Sequence, residues 1–354
     1  MTPSAWPGVI ATYRRYLPVT DRTPIVTLGE GNTPLLPAPR LAEATDPNVS
    51  VYLKCEGVNP TGSFKDRGMT LAISKAVEAG SRAVICVSTG NTSASAAAFA
   101  ARAGLRAFVI VPKGAIALGK LSQAAIHGAK ILTVDATFDQ ALAIVGRIAE
   151  THPVTLVNSA NPFRLDGQKT AAFEVVDQLG RAPDYHLIPV GNPGNIAASW
   201  RGYREYHRDG RMKQLPRMVG LQPAGAAALS DNRVLEQPRT VASTVKTGSP
   251  AARDEALAAM TDSHGWVDVV TDEEIRRAYR LLARDEGVFV EPAAAATVAG
   301  LVKSVKAGRL EPGSTVVLTL TGHGLKDPDA ALESATRPTS VPASIDAVLA
   351  QLGL

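Results

Sequence analysis

The segment Asn59-Pro60-Thr61-Gly62-Ser63-Phe64-Lys65-Asp66-Arg67-Gly68 puts a lysine where its proton is weakly held. Pro60 and Gly62 close one segment, and Ser63 with Asp66 reads as a capping pair opening a helix. Lys65 then lies in the first turn, where the helix dipole favours the neutral amine. An amine that sheds its proton easily can attack a carbonyl and form a Schiff base. On this segment alone, an exposed lysine beside an N-cap is the alternative.

Other polar clusters follow apolar runs. Ser88-Thr89-Gly90-Asn91-Thr92-Ser93 precedes an alanine-rich helix. Small hydroxyls and backbone N–H groups there make a site for an anion such as a carboxylate, and Asn91 can donate to a ring oxygen; ordinary N-capping fits equally. Gly191-Asn192-Pro193-Gly194-Asn195 is a glycine-rich turn of the kind that cradles phosphate through backbone donors. It lacks the G-x-G-x-x-G of dinucleotide binding, and no lysine follows Gly62 to make a P-loop, so a single-phosphate cofactor fits better than ATP or NAD. Thr321-Gly322-His323-Gly324 offers a hydroxyl for a heterocycle nitrogen, or is simply a turn. Asn158 and Arg164 can grip a second phosphate or a carboxylate, or Arg164 is a loop residue in an ion pair.

These loops follow short buried-strand patterns at 83–87, 107–111, 130–134, 155–157, 186–190, 218–221 and 315–320. Helical patterns lie between them, at 70–79, 93–103, 138–150, 169–179 and 273–285. Continuous apolar strands separated by helices predict an α/β fold with parallel sheet covered on both faces. Ligands then sit beyond the carboxyl ends of the strands. The turn-rich stretch 222–250 reads as a long surface connection.

At 354 residues the chain has material for two lobes or one large unit. No apolar run is long enough to span a bilayer and no signal-peptide pattern opens the chain, so no membrane association is expected. Cys55 and Cys86 are the only cysteines, which fits a reducing cytoplasm without disulfides. The histidines show no metal-ligand spacing, so no metal site is expected. The net charge of +4 is mild. The basic stretch Arg201–Arg217 reads as the wet face of a helix, so no nucleic-acid partner is expected.

Taken together, these segments resemble a pyridoxal-phosphate enzyme of the tryptophan-synthase-β type (fold type II), and within it the chain is similar to the shorter bacterial threonine synthases. The matching motifs are Leu28-Gly29-Glu30-Gly31-Asn32-Thr33-Pro34-Leu35, Lys54-Cys55-Glu56 leading to Asn59–Arg67, Ser88–Ser93, and Thr321-Gly322-His323-Gly324-Leu325-Lys326-Asp327. The resemblance implies a two-lobed α/β fold, each lobe a mostly parallel sheet covered by helices. Residues 1–50 plus 154–354 would form the large cofactor-binding lobe and 51–153 the small mobile lobe. It implies pyridoxal 5′-phosphate as cofactor and a homodimer. Lys65 would form the Schiff base and shuttle protons. Asn91 would bond the 3′-oxygen, Gly191, Asn192, Gly194 and Asn195 would hold the cofactor phosphate, and Thr321 would face the pyridine nitrogen. Ser88, Thr89 and Thr92 would bind the substrate, and Asn158 and Arg164 its phosphate. Pro193 stands where the family often has alanine or glycine, and proline has no N–H to donate.

The reaction implied is conversion of O-phospho-L-homoserine and water to L-threonine and phosphate. A threonine hydroxyl at the ring nitrogen, in place of a carboxylate, would leave that nitrogen weakly protonated. The alternatives are a serine or threonine dehydratase of the same fold, a β-replacement enzyme such as cysteine synthase, and a non-catalytic ligand-binding protein.

Overall fold

The computed structural model describes residues 6–113, 118–227, 229–230, 240–242, 253–335 and 338–354. The strands, in chain order, are β1 (Leu35–Pro37), β2 (Ser50–Cys55), β3 (Ala83–Val87), β4 (Arg106–Pro112), β5 (Lys130–Val134), β6 (Val154–Leu156), β7 (Tyr185–Pro189), β8 (Arg217–Pro223), β9 (Trp266–Val270) and β10 (Thr315–Leu320). They form a six-stranded sheet ordered β1-β2-β10-β7-β8-β9 and a four-stranded sheet ordered β5-β4-β3-β6. Among these strands only the β1–β2 pairing is antiparallel. Parallel neighbours require crossover helices, and these cover both faces.

On one face of the large sheet, Leu53, Leu221 and Leu318 pack with Ala293–Ala296 of the helix Pro292–Lys306. On the other face, Ile188 and Val317 meet Phe173, Trp200 and Tyr203. In the small lobe the helix Lys65–Glu78 packs Met69, Ala72 and Ile73 against Val84, Phe99 and Val109. The opposite face holds Ile85, Val87 and Ile110 under Ala141 and Val145. This is the two-lobed α/β architecture the resemblance implies.

Sheet membership moves the lobe borders drawn from the sequence. β2, placed in the small lobe from residue 51 on, pairs with β1 and β10 of the large sheet. β6, assigned to the large lobe, pairs with β3 in the small sheet. β2 escapes the sequence reading because it carries Lys54, a charge that breaks the apolar pattern and is nonetheless fully buried. β9 escapes it as well, since Asp268 interrupts the run. Most of the stretch 222–250 lies outside the described residues. The helix Gly194–Arg208 carries Arg204, His207 and Arg208 on its exposed face, as its charge spacing predicts.

Candidate active site

The loops singled out by sequence lie at the carboxyl ends of β2, β3, β6, β7 and β10, the edge at which such sheets bind ligands. Backbone bonds stitch two of them together. Phe64 N–H donates to Thr321 O at 3.0 Å, and His323 N–H donates to Gly62 O at 2.9 Å. A Cβ on Gly57 would lie 2.6 Å from the His323 nitrogen, so only glycine permits this approach.

Lys65 opens the helix Lys65–Glu78 as predicted, but the capping pair does not form. The N-cap is Phe64, without a side-chain cap bond. Asp66 turns inward and accepts from Thr61 N–H at 2.7 Å, Thr61 Oγ1 at 2.5 Å and Ser95 Oγ at 2.6 Å. The tight turn through Gly62 brings Thr61 under the helix start, and that buried acceptor role outcompetes capping. Burial raises the Asp66 carboxyl to about 6, against those donors.

The partly buried Lys65 side chain places Nζ 4.2 Å from the centroid of the Phe64 ring. Its amine is lowered to about 7, first by desolvation and then by the nearby positive Arg164, while Glu291 opposes. Burial thus leads a shift that the sequence attributed to the helix dipole. A lysine near neutrality suits nucleophilic and proton-transfer chemistry.

Asn91 is buried at the start of the helix Asn91–Arg102, and its Nδ2 donates to Glu291 Oε2 at 3.0 Å. Ser88 Oγ accepts from the N–H groups of Gly90 and Ser93, both at 3.2 Å, so it caps this helix. The hydroxyls of Thr89 and Thr92 are partly exposed and have no hydrogen-bond partner among the described residues. Asn158 uses both ends of its amide on strand β3, accepting from Val87 N–H and donating to Val87 O at 2.9 Å each. One amide hydrogen remains for a ligand.

Arg164 is buried, donates through Nη1 to Val157 O at 2.7 Å, and has no partner at Nε among the described residues. No carboxylate pairs with it among the described residues, so the loop ion-pair reading fails. Desolvation lowers this guanidinium to about 10, against Cys86 and Asp66. A buried cation with spare donors is costly unless an anion arrives.

Gly191-Asn192-Pro193-Gly194-Asn195 joins β7 to the helix Gly194–Arg208. Pro193 takes the N-cap place, so the donor it lacks is one of those a helix start leaves free. Gly194 N–H is already held by Asn192 Oδ1 at 3.1 Å, and Asn192 Nδ2 donates to Ser159 Oγ at 2.9 Å. The first-turn N–H groups of Asn195 and Ile196 remain for an anion.

Thr321 follows β10, and its Oγ1 donates to Glu291 Oε1 at 3.1 Å. Glu291, which sequence reasoning missed, therefore joins Asn91 to Thr321. Its only sequence signal is an acidic residue before Pro292 at the start of an alanine-rich helix, which reads as an ordinary helix start. Lys326 donates to Thr61 O at 3.1 Å and to Gln123 Oε1 at 2.6 Å in the small lobe, linking the lobes beside the site.

The site fits pyridoxal 5′-phosphate. It combines an amine near neutrality, a helix start with first-turn N–H groups to spare, and a buried amide and a hydroxyl held on one carboxylate. Comparisons with known proteins agree. The chain belongs to the pyridoxal-phosphate-dependent enzymes, whose family pattern matches residues 26–322. Its fold resembles maize serine racemase, with a TM-score of 0.70, 21% identity, and 86% of this chain and 91% of that one covered. It also resembles the T.th. threonine deaminase, with a TM-score of 0.68, 26% identity and coverage of 94% and 98%. Within the family the chain belongs with the threonine synthases. It is 58% identical to the threonine synthase of Synechocystis sp. over 93% of this chain and 86% of that protein. It is 55% identical to that of Mycobacterium leprae over 100% of this chain and 98% of the other.

Proposed function

We propose that this protein converts O-phospho-L-homoserine and water to L-threonine and phosphate. The observation that carries the reading is the buried Arg164 beside the near-neutral Lys65: one offers a cation to a substrate phosphate, the other a base. A dehydratase has no substrate phosphate to satisfy such a guanidinium. Full-length identity to threonine synthases supports the same choice.

Bound pyridoxal 5′-phosphate supplies a carbonyl that captures the substrate amine and a ring that delocalises charge from Cα. The residues do the rest. Asn195 and Ile196 N–H groups hold the cofactor phosphate with Gly191, Asn192 and Gly194 around it. The Ser88–Thr92 turn orients the substrate carboxylate, with the free Thr89 and Thr92 hydroxyls as donors. Arg164 and the remaining amide hydrogen of Asn158 hold the substrate phosphate and favour its departure from Cγ. Lys65 Nζ, neutral above about pH 7, removes the Cα proton and carries protons between carbons on the same side. Thr33 Oγ1 accepts from Arg67 Nη2 at 3.1 Å and donates to Glu56 Oε1 at 2.8 Å, which holds the start of the Lys65 helix so that Lys65 needs little reorganisation.

The chain is further inferred to work as a cytoplasmic homodimer. Its buried free thiols Cys55 and Cys86 accord with a reducing compartment, and light scattering of the purified protein tests the dimer. The reaction is tested by phosphate release with product identification, given O-phospho-L-homoserine, L-threonine or L-serine, with Lys65→Ala as blank. Equal amounts of phosphate and L-threonine, absent from the blank, are expected. A 2-oxo acid from threonine or serine, with nothing from phosphohomoserine, would make it a dehydratase.

A further inference from the structure

We infer that Gly68 is a positioning residue for the proposed reaction: its missing side chain is the seat of Arg164, so this glycine fixes the cation for the substrate phosphate beside Lys65. This rests on the role proposed for Arg164.

Gly68 lies inside the helix Lys65–Glu78, and its φ is not in the left-handed range. Glycine weakens a helix interior relative to alanine, and no turn requires it here. What requires it is a close approach. A Cβ on Gly68 would lie 2.6 Å from the Arg164 carbonyl oxygen, 2.8 Å from Arg164 Nε and 3.0 Å from Arg164 Cα. The three nearest atoms all belong to that one residue. The guanidinium cannot simply swing aside. It is buried, and its Nη1 is held on Val157 O at 2.7 Å. Val157 therefore closes one side of the seat and Gly68 the other.

The arrangement is reciprocal. Arg164 and Gly167 stand three residues apart on the helix Pro162–Gln168, as Lys65 and Gly68 do on theirs. Residues at that spacing share a helix face. A Cβ on Gly167 would lie 2.8 Å from Gly68 Cα. The two helices thus meet at their glycines, and each carries its functional side chain one turn before the meeting point. Lys65 and Arg164 are close enough to feel each other: the positive Arg164 is one of the causes that lower the Lys65 amine.

Selectivity follows from this spacing. A substrate held by its carboxylate at the Ser88–Thr92 turn and by its Cα at Lys65 meets the Arg164 cation only if it carries an anion further along its chain. L-Threonine and L-serine carry none. Any side chain at position 68 would push the cation back, and the phosphate end of the substrate would lose its partner while the amino-acid end kept its own.

Calorimetric titration of the holoenzyme with inorganic phosphate, and separately with L-threonine, tests this in wild type, Gly68→Ala and Arg164→Gln. Gly68→Ala should weaken phosphate binding by about tenfold or more, the worth of one charge-assisted hydrogen bond, and change L-threonine binding by less than about twofold. A glycine that only supports the fold would weaken both ligands alike, and that result overturns the inference. So does phosphate binding in Gly68→Ala equal to wild type. If Gly68→Ala does not fold, the double variant Gly68→Ala/Arg164→Gln decides. A folded double variant shows that alanine had displaced the guanidinium, as inferred. An unfolded one shows that the glycine serves the backbone crossing alone and overturns the inference. Phosphate affinity unchanged in Arg164→Gln, or no phosphate uptake by wild type, would reject the role of Arg164 and the inference with it. The expected shifts in phosphate affinity, with no L-threonine made from O-phospho-L-homoserine, would instead reject the proposed reaction and leave the seat of Arg164 standing.

Discussion

Arg67 and Glu174 face each other as two parallel hydrogen bonds, Nη1 to Oε1 and Nη2 to Oε2, each 2.7 Å. Both side chains are buried. Arg67 also donates from Nε and Nη2 to the two oxygens of Glu56, at 2.6 and 2.7 Å. Lys54 Nζ completes the set on Glu174 Oε2 at 2.9 Å. The buried charges sum to zero, and the geometry is the bidentate kind that makes such burial tolerable. Arg67 stands two residues after Lys65. The network therefore ties the start of the lysine-bearing helix to β2 and to the helix Thr170–Leu179 of the large lobe.

Arg67→Met should be strongly destabilising. It leaves Glu56 and Glu174 buried with only Lys54 for compensation, a situation that costs about 3–5 kcal/mol. Chemical denaturation of the purified variant measures this. A loss below about 1 kcal/mol would show that water reaches the cluster.

Glu174→Gln should lose its effect in acid. Burial works against the charged form, but Arg67 and then Lys54 hold the Glu174 carboxyl down to about 2. Its folded value lies below its unfolded one, so its stabilising contribution is present above about pH 4.5. That contribution fades as pH falls toward 2. The stability gap between wild type and Glu174→Gln should accordingly be widest above about pH 5 and close on acidification. A gap that stays constant with pH would mean that the carboxylate is not the source.

What was legible in the sequence was local. The Ser88–Ser93 turn, the Gly191–Asn195 turn and Thr321 each follow a strand pattern within a few residues, so strand-end reasoning placed them at the sheet edge, whereas Lys65 was read from the helix start around it, its preceding strand having been missed. What was not legible depends on partners far apart in the chain. Glu291 acquires its meaning from Asn91, 200 residues away, and from Thr321, 30 residues away. Lys54 broke the pattern of β2 because its counter-charge, Glu174, lies 120 residues on. Asp66 carried a valid local capping signal that Thr61 and Ser95 outbid once the lobe had packed. Charges inside elements mislead pattern reading whenever the pairing is tertiary.

Gly167→Ala should loosen the seat of Lys65 without touching any polar side chain. A Cβ there would lie 2.0 Å from the Arg67 carbonyl oxygen and 2.8 Å from Gly68 Cα. The helices Lys65–Glu78 and Pro162–Gln168 thus meet backbone to backbone at this glycine. Neither side can yield by rotating a side chain, so the backbones must part. Overpacking of this kind costs about 1–3 kcal/mol or more. The variant should melt earlier and bind pyridoxal 5′-phosphate more weakly, as read by cofactor fluorescence titration. Unchanged affinity together with a lower melting temperature would separate fold stability from the positioning of Lys65.

Arg164→Gln should split activity from stability. The guanidinium is buried, makes one bond to the Val157 carbonyl, and leaves Nε unpaired among the described residues. Removing it forfeits that bond but also relieves a buried, unpaired cation, so stability should change by less than about 2 kcal/mol. A substrate phosphate, by contrast, would lose charge-assisted hydrogen bonds worth about 1.5–3 kcal/mol each. With two such bonds lost, kcat/KM on O-phospho-L-homoserine should fall by about two to four orders of magnitude. Lys65 should respond too, because Arg164 is one of the causes that lower its amine. Without that neighbouring charge the lysine holds its proton more tightly, and the acid limb of the pH–rate profile should move upward. An enzyme that keeps its kcat/KM and its pH profile after this substitution does not use Arg164 for the substrate phosphate. The anion site would then have to be sought at Lys326 instead.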